Sequence, residues 1–367
     1  MKLAVVTLHR VYNYGSVLQA YATQKVLEKE GYEVEIVDYI TPQRTKKKIF
    51  FQPPADVTKR GIKLFAYRIA KIPSLLLKEK TFGGFAKKHL QLTKKYITVS
   101  DLEKDPPIAD VYITGSDQVW NSSYNEGIDR GFFLDFIPEQ CTRVAFVVSF
   151  GKTKLEENEV DITKKYIQRY KGISVREDAA RDILNELGRK DTVQLIDPTL
   201  QISGDEWESI ASKKLVKEPY LILMLLYNED NHATEFARKI ADEKGLKLVK
   251  ISWELKKPHL VDKLFTHRSP EDFLSLFANA DFVVTNSFHG LAFSINFHRQ
   301  FVVVPRNEFN SRIESLLTLT ELNNRMVKTE KEVEQCMNTI INYIEVEEYL
   351  NQERAKANKF IEEMIQE

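Results

Sequence analysis

The stretch DFVVTNSFHGLAFSI at residues 281–295 decides how this sequence is interpreted. Residues 282–285 form an apolar run of strand length, and the apolar residues that follow Gly290 have a helix-like pattern. The polar residues between the two runs predict a junction where a buried strand ends and a helix begins. Open α/β sheets bind ligands at such junctions, because backbone N–H groups at the helix N-terminus point into the crevice.

His289 lies in this junction and carries a side chain that gains or loses a proton near neutral pH. One interpretation makes it a proton-transfer group in a binding site. The other makes the stretch a capping loop whose histidine packs against the sheet. The segment alone leaves both interpretations open.

The composition fits an ordinary soluble globular protein of two domains. The chain has 367 residues, of which 43% are apolar and 29% charged. Lys plus Arg equals Asp plus Glu at 53 each, so the overall charge does not favour nucleic acid as a partner. Cys141 and Cys336 are far apart in the chain and indicate neither a disulfide framework nor a zinc site.

The first residues, MKLAVVTL, predict a strand, because their apolar run is too short for a signal peptide. No apolar run approaches the roughly 20 residues that are needed to cross a bilayer. We therefore expect a cytoplasmic location.

Strand patterns alternate with helix patterns along the chain, which predicts parallel sheets and an α/β fold. We expect a six-stranded Rossmann-like domain at 1–203, a second Rossmann-like domain at 204–345, and a C-terminal helix at 346–367. This helix either returns to the first domain or simply ends the second. The predicted strands are 3–8, 33–39, 110–114, 143–149, 172–175 and 193–196 in the first domain, and 220–226, 246–251, 281–285 and 301–304 in the second.

The segment 41–100 interrupts this alternation with basic amphipathic stretches and the pair Pro53-Pro54, which together predict a helical insertion. Its lysines and arginines have two interpretations. They form a solvated helix face, or they form a surface that meets anionic lipid or a lipid-linked diphosphate.

The polar motifs of this chain share one position, the end of a predicted strand. Residues 12–16, 115–118, 174–177 and 286–290 all follow such strands. Each is also compatible with plain turn chemistry. Two Rossmann-like domains in series nevertheless predict an active site in an interdomain cleft, where strand ends from both domains face one ligand.

Several common sites are missing from the sequence. It has no G-x-G-x-x-G after the first strand and no P-loop, so we expect no dinucleotide cofactor. Neither G-x-S-x-G nor a papain-like cysteine context is present, which disfavours acyl transfer. We also expect no catalytic metal, because the histidines lack metal-ligand spacing. They are His9, His89, His232, His259, His267, His289 and His298.

Three motifs in order closely resemble the polysaccharide pyruvyl transferase family: YNYGSVLQAY at 12–21, TGSDQVWN at 114–121 and SFHGLA at 287–292. The resemblance runs from the first strand to about residue 325. It implies two domains arranged as in GT-B glycosyltransferases. It also implies transfer of pyruvate from phosphoenolpyruvate, as co-substrate, to two hydroxyls of a sugar, forming a cyclic ketal without metal or cofactor.

The resemblance also assigns roles to residues. His289 matches the histidine of the family and is the expected acid that protonates phosphoenolpyruvate. Arg176 matches an arginine at a strand end, expected to bind the donor; its alternative is a surface salt bridge with Glu177 or Asp178. Asp117 is expected to assist proton removal, or else to be an Asx-turn residue. Residues expected to bind the acceptor sugar are Asn13, Tyr14, Gly15, Gln118 and Trp120, the last with core packing as its alternative.

The sequence departs from the family at Ser287, where the family has an arginine. Serine offers one hydrogen bond and no charge, so a donor phosphate bound here must rely on other groups. The helix N-terminus at Gly290 is one substitute, and Arg312 is another.

The predicted function is therefore cytoplasmic pyruvyl-ketal transfer in surface polysaccharide assembly. One rival is a GT-B-type glycosyltransferase that uses a nucleotide sugar, and another is a non-catalytic glycan-binding protein. The sequence leaves open whether the sugar acceptor is lipid-linked or nucleotide-linked. It also leaves open peripheral membrane contact through residues 41–100.

Overall fold

The computed structural model describes residues 1–51, 61–226, 231–253, 256–306 and 310–366, without the side chains of residues 46, 47, 62, 63 and 231. The chain divides into two compact units. Unit 1 comprises Met1–Gln194 and Phe360–Glu367, and unit 2 comprises Leu195–Lys359. The limits drawn from sequence, at residues 203 and 345, differ from these because the helical turn at 198–201 and most of the last helix group with unit 2.

Unit 1 is built on a seven-stranded parallel sheet with the order β3-β2-β1-β4-β5-β6-β7. Its central strands are apolar and buried, as expected where helices cover both faces of a parallel sheet. The predicted α/β fold is therefore confirmed. The strands are β1 Lys2–Val6, β2 Glu33–Tyr39, β3 Leu92–Tyr96, β4 Val111–Thr114, β5 Thr142–Val148, β6 Gly172–Val175 and β7 Val193–Gln194.

The prediction of six strands here was wrong by one, because β3 lies inside the segment expected to be helical. Its sequence, LTKKY, exposes two lysines and lacks a continuous apolar run. That pattern suits an edge strand, and β3 lies at the edge of the sheet. Pro53-Pro54, Lys59 and Arg60 of the same segment lie outside the described residues.

Helices connect the strands of unit 1. The first, α1, starts where Asn13 accepts a hydrogen bond from the Ser16 backbone N–H, and most of its residues are buried. The helices are α1 Tyr14–Lys29, α2 Lys46–Phe51, α3 Gly61–Lys78, α4 Gly84–His89, α5 Val99–Lys104, α6 Ser122–Asn125, α7 Glu157–Ile167 and α8 Asp178–Glu186.

Unit 2 contains a five-stranded parallel sheet with the order β10-β9-β8-β11-β12. The four predicted strands are present. An additional edge strand, β10, was not predicted, because its sequence KLFT is short and mixes polar with apolar residues. The strands are β8 Tyr220–Met224, β9 Lys247–Ser252, β10 Lys263–Thr266, β11 Phe282–Thr285 and β12 Gln300–Val303.

The helices of unit 2 begin with a short turn that follows β7 in the chain and end with α16, the longest of the described helices. They are α9 Pro198–Gln201, α10 Gly204–Ile210, α11 Asn231–Glu243, α12 Pro270–Ala278, α13 Phe288–Asn296, α14 Ser311–Leu319, α15 Glu330–Asn338 and α16 Tyr343–Ile365.

The last residues of α16 belong to unit 1, so the helix returns to it rather than simply ending unit 2. The Phe360 ring stacks on Phe146 with centroids 6.4 Å apart. Met364 fills the space beside Gly172, where a β-carbon would lie 2.2 Å from its Sδ. Among the described residues no helix is both long enough and apolar enough to pass through a bilayer.

Candidate active site

The carboxyl edge of the unit 1 sheet holds a buried group of polar side chains centred on Asp117, which follows β4. Ser16, in the first turn of α1, donates a hydrogen bond from Oγ to Asp117 Oδ2 at 2.5 Å. Arg176, which follows β6, has Nη2 3.4 Å from Asp117 Oδ1. All three residues are at most 5% exposed. Residues from three strand ends therefore meet at one carboxylate.

A second carboxylate adjoins this arginine. Arg176 Nε lies 3.6 Å from Glu177 Oε2, and Ser149 Oγ donates to Glu177 Oε1 at 2.5 Å. Arg176 therefore lies between Asp117 and Glu177 in the interior. The alternative pairing with Glu177 is present, but it is buried rather than at the surface. We call Ser16, Asp117, Ser149, Arg176 and Glu177 the Asp117 cluster.

The backbone of Asp117 is unusual. Its φ angle is 74°, in the left-handed region that non-glycine residues rarely occupy. Its carbonyl accepts a hydrogen bond from the Ser149 backbone N–H at 3.0 Å, which ties this conformation to the end of β5. Such conformations cost of the order of 1–3 kcal/mol and concentrate at functional sites, because the surrounding structure must enforce them.

Gln118 is held beside the Asp117 cluster by close packing. Its Oε1 accepts a hydrogen bond from Asn121 Nδ2 at 2.6 Å. Gly151 has φ +63°, and a β-carbon there would lie 2.1 Å from Gln118 Oε1. A glycine at 151 is therefore needed both for the backbone and for the position of Gln118.

The predicted acceptor residues at the start of α1 have structural contacts of their own. Asn13 is the N-cap, and Tyr14 packs against Phe82 with ring centroids 5.2 Å apart. Gly15 is buried in the first turn. Their acceptor-binding role stays a prediction.

Trp120 belongs to the hydrophobic core of unit 1. It is 3% exposed, its ring stacks on Phe133 at 5.1 Å, and its Nε1 donates to the Phe132 carbonyl at 3.1 Å. A side chain so enclosed has no face left for a sugar ring. Of its two interpretations core packing fits the structure, and Trp120 leaves the candidate site.

His9 and Arg10, which follow β1, meet Asp38 near the end of β2. His9 and Asp38 are buried, and Arg10 is partly exposed. Sequence reasoning missed this triad because Asp38 is far from the other two residues in the chain. His9 Nε2 lies 3.0 Å from Asp38 Oδ1, and Arg10 donates from Nε at 2.8 Å and from Nη2 at 2.6 Å to the two carboxylate oxygens. Burial alone would raise the pKa of Asp38, but the hydrogen bonds from His9 and Arg10 outweigh it and hold this pKa well below 3.8.

This depressed pKa predicts a stability change with pH. The carboxylate stabilises the folded chain above the ordinary Asp pKa of 3.8, and that contribution is lost as the pH falls through the lower folded pKa. Asp38→Asn is expected to lower the unfolding free energy at pH 7 by roughly 1.5–3 kcal/mol, the scale of hydrogen bonds to charged groups. The difference from wild type should shrink as the pH falls below 4.

Urea unfolding of wild type and Asp38→Asn across this pH range measures the difference, with Asp178→Asn at an exposed carboxylate as the matched control. A difference that stays constant down to the lowest pH would contradict the assignment.

In unit 2, His289 occupies the first turn of α13, directly after β11. It is 7% exposed, and its Nε2 lies 4.0 Å from Asp197 Oδ2. Asp197 is itself oriented, because its Oδ1 accepts hydrogen bonds from the Thr199 N–H at 2.9 Å and the Thr199 hydroxyl at 2.7 Å. The other oxygen of the carboxylate is thereby directed to the imidazole. Sequence reasoning missed Asp197, although an N-cap Asp before Pro198 was its local signal.

The helix start beside His289 is built by small side chains. Ser287 is buried, and its Oγ accepts a hydrogen bond from the Gly290 N–H at 3.4 Å. A β-carbon on Gly290 would lie 2.3 Å from Thr285 Oγ1, so only glycine fits. The Gly290 N–H thus already has a partner inside the cap, which weakens it as a substitute phosphate donor.

Two arginines follow β12, the neighbour of β11 in the sheet. Arg312, predicted from sequence, lies partly exposed in the first turn of α14. Arg306 was missed, although an arginine soon after a strand is a usable signal. Asn310 braces this loop by accepting from the Arg306 N–H at 3.0 Å and donating to its carbonyl at 2.6 Å. Residues 307–309, including Phe309 of the predicted arginine segment, lie outside the described residues.

Comparison with solved structures shows a GT-B fold. The chain is similar to a UDP-GlcNAc 2-epimerase from Neisseria meningitidis bound to UDP-GlcNAc, at 10% identity with a TM-score of 0.50, covering 100% of this chain and 99% of that one. It is similar to a glycosyltransferase of avilamycin A biosynthesis, AviGT4, at 13% identity with a TM-score of 0.50, covering 99% of this chain and 97% of that one. It is also similar to S. aureus MnaA with UDP, at 12% identity with a TM-score of 0.50, covering 100% of this chain and 98% of that one.

Comparison with curated proteins gives no match. The family description "polysaccharide pyruvyl transferase", in contrast, matches residues 13–308, which include α1, the Asp117 cluster and the His289 junction. The match covers most of the chain and both units. The protein therefore belongs to the polysaccharide pyruvyl transferase family.

Proposed function

We propose that this pyruvyl transferase uses phosphoenolpyruvate as donor and forms a cyclic ketal on two hydroxyls of a sugar, with His289 as the general acid. The observation that carries the proposal is the pairing of His289 with Asp197 at the carboxyl end of β11. The Asp197 carboxylate oxygen lies 4.0 Å from His289 Nε2, so it contributes to positioning the imidazole at the end of β11.

The reaction balances without metal or cofactor. The imidazolium gives its proton to the methylene carbon of phosphoenolpyruvate, and the adjacent carbon gains oxocarbenium character. One sugar hydroxyl attacks that carbon and gives its proton to a carboxylate, and exchange with solvent returns a proton from there to the imidazole. The neighbouring hydroxyl then closes the ketal as phosphate leaves with the second proton. General acid catalysis of this kind contributes roughly 10²–10⁴-fold.

The donor carries a carboxylate and a phosphate, and the planar guanidinium of arginine binds both groups well. Because Ser287 replaces the family arginine, we assign this role to Arg306 and Arg312, on the loop and helix after β12. The helix α13 packs against α14, so these arginines and His289 belong to contacting parts of unit 2. Ser287 keeps its hydroxyl hydrogen as a possible donor to the phosphate.

The Asp117 cluster of unit 1 is the proposed acceptor side of the reaction, and one of its members, Arg176, keeps its predicted role as a donor ligand. The Asp117 carboxylate would take a proton from an attacking hydroxyl. Its hydrogen bonds with Ser16 and Arg176 orient it for that role. Asn13, Tyr14, Gly15 and Gln118 remain the proposed sugar contacts, in an enzyme that we place in the cytoplasm and in surface polysaccharide biosynthesis.

A nucleotide-sugar glycosyltransferase is the second candidate, favoured by the GT-B similarity to proteins whose structures contain UDP or UDP-GlcNAc. A non-catalytic glycan-binding protein is a third, compatible with the same fold. The two candidates differ from the proposal in the ligand that stabilises the protein and in the product formed.

The proposal predicts that phosphoenolpyruvate raises the melting temperature without any UDP-sugar present. A ligand at 100 times its Kd stabilises the folded state by about 2.7 kcal/mol, which a thermal shift assay detects. The chemical readout is mass spectrometry of candidate sugar acceptors after incubation with phosphoenolpyruvate, where a pyruvyl ketal is expected. Stabilisation by UDP-sugars alone would favour the glycosyltransferase. An unchanged acceptor pool with every donor would favour the binding protein.

A further inference from the structure

The helix α3 exposes a continuous apolar stripe. Phe65, Ile69, Ile72 and Leu76 follow at spacings of four, three and four residues, which places them on one face of the helix. They are 66%, 48%, 38% and 65% exposed, respectively. An amphipathic helix of a soluble protein normally turns such a face to the core, so a stripe exposed over this length marks an interaction surface.

The charges around the stripe are almost all of one sign. The sequence from 61 to 83 contains the basic residues Lys63, Arg68, Lys71, Lys78 and Lys80 and one acidic residue, Glu79. The Glu79 carboxylate accepts a hydrogen bond from the Tyr12 hydroxyl at 3.2 Å. Burial, then the charge of Glu79 and this hydrogen bond, raise the pKa of Tyr12 to about 12. Among the described side chains four basic residues stand against one acidic residue, so the net charge of this surface is positive.

Aromatic rings hold the basic side chains close to the apolar face. The Arg68 guanidinium lies 5.0 Å from the centroid of Phe51, and the Lys71 ammonium lies 4.8 Å from that of Tyr67. Phe51, at the end of α2, is itself half exposed. Basic and aromatic side chains side by side are the composition of helices that lie at a membrane interface.

A cavity of about 180 Å³ lies beside the stripe, between α2 and α3. Its walls are mainly apolar and include Ile49 and Phe50 of α2, Ile72 and Leu75 of α3, and Tyr12. Tyr12 directly precedes Asn13, the N-cap of α1. The stripe and the cavity therefore adjoin the part of unit 1 that we assign to the acceptor.

We infer that α3 docks this protein onto a membrane surface that contains anionic lipid, with Phe65, Ile69, Ile72 and Leu76 inserted among the acyl chains. The positive charge selects this occupant over a second copy of the chain, because a two-fold contact would oppose the same basic residues. Anionic headgroups satisfy both the charge and the apolar face. The inference is independent of pyruvyl transfer, since no step of the reaction enters it.

The test is flotation of the full chain with vesicles of phosphatidylcholine alone and of equal parts phosphatidylcholine and phosphatidylglycerol. We expect binding to the anionic vesicles, at least tenfold weaker binding to the neutral ones, and loss of binding at high salt. The variant Phe65→Asp/Leu76→Asp should lose binding at least tenfold. The matched control is Ile108→Asp, because Ile108 is 87% exposed and lies in unit 1 outside α3. This control variant should bind as well as wild type.

Circular dichroism and melting curves show whether each variant folds, and a milder pair, Phe65→Ser/Leu76→Ser, replaces the first if it does not. Wild type that stays unbound on anionic vesicles at low salt would overturn the inference. Equal binding by wild type and the α3 variants would do so too. Light scattering that shows a wild-type dimer and a monomeric α3 variant would assign the stripe to a second copy instead.

Discussion

Replacing His289 by alanine is expected to reduce pyruvyl transfer by roughly 10²–10⁴-fold, the usual contribution of a general acid. The imidazole is the group that we assign to protonate the donor, and Asp197 at 4.0 Å is the group that orients it. The alanine substitution removes the proton donor but leaves the arginines of unit 2 in place. Binding of phosphoenolpyruvate, followed by thermal shift, should therefore change far less than turnover, followed by mass spectrometry of the product.

The matched control is His298→Ala. His298 belongs to the same unit, is about half exposed, and pairs with Glu347 at 2.9 Å rather than with Asp197. We expect this variant to keep near wild-type turnover. Equal turnover by wild type and a folded His289→Ala variant would remove the catalytic role and leave the capping interpretation of the junction.

Replacing Arg176 by methionine is expected to lower the unfolding free energy by about 3–5 kcal/mol, the range found when one partner of a buried ion pair is removed. Methionine approximates the arginine stem but leaves Asp117 and Glu177 facing a neutral side chain. Both carboxylates are at most 6% exposed, so water does not replace the lost charge. The substitution therefore lowers stability in two ways. The attraction to the guanidinium is lost, and the two carboxylates stay buried without a compensating positive charge.

Urea unfolding provides the measurement, and Arg181→Met provides the matched control. Arg181 pairs with Asp178 at 2.7 Å, but both side chains are more than 40% exposed. Solvent screens such a pair, so the control should change stability by no more than about 1 kcal/mol. Adding Asp117→Asn to Arg176→Met should recover part of the loss. Similar losses for Arg176→Met and Arg181→Met would mean that the Asp117 cluster is not a desolvated charge network.

The strands that sequence predicted and those that it missed differ in their side-chain pattern rather than in sheet position alone, since two predicted strands, β7 and β12, also lie at sheet edges. Central strands such as β4, β5 and β11 are covered on both faces, so they appear as uninterrupted apolar runs. The missed strands, β3 and β10, lie at sheet edges and carry exposed lysines. Their pairing partner, rather than their own composition, makes them strands.

The sequence by itself determined the α/β class, the strand-end motifs and the family, because these depend on local apolar runs and on contiguous residues. Only the tertiary structure decided which side chains meet. Ser16 and Asp117 are 101 residues apart, and Asp117 and Arg176 are 59 apart. For the same reason, the tertiary structure added Asp197 and the His9–Asp38–Arg10 triad to the candidate residues and removed Trp120 from them. Parallel strand order and burial fix these contacts, and neither can be read from a local pattern.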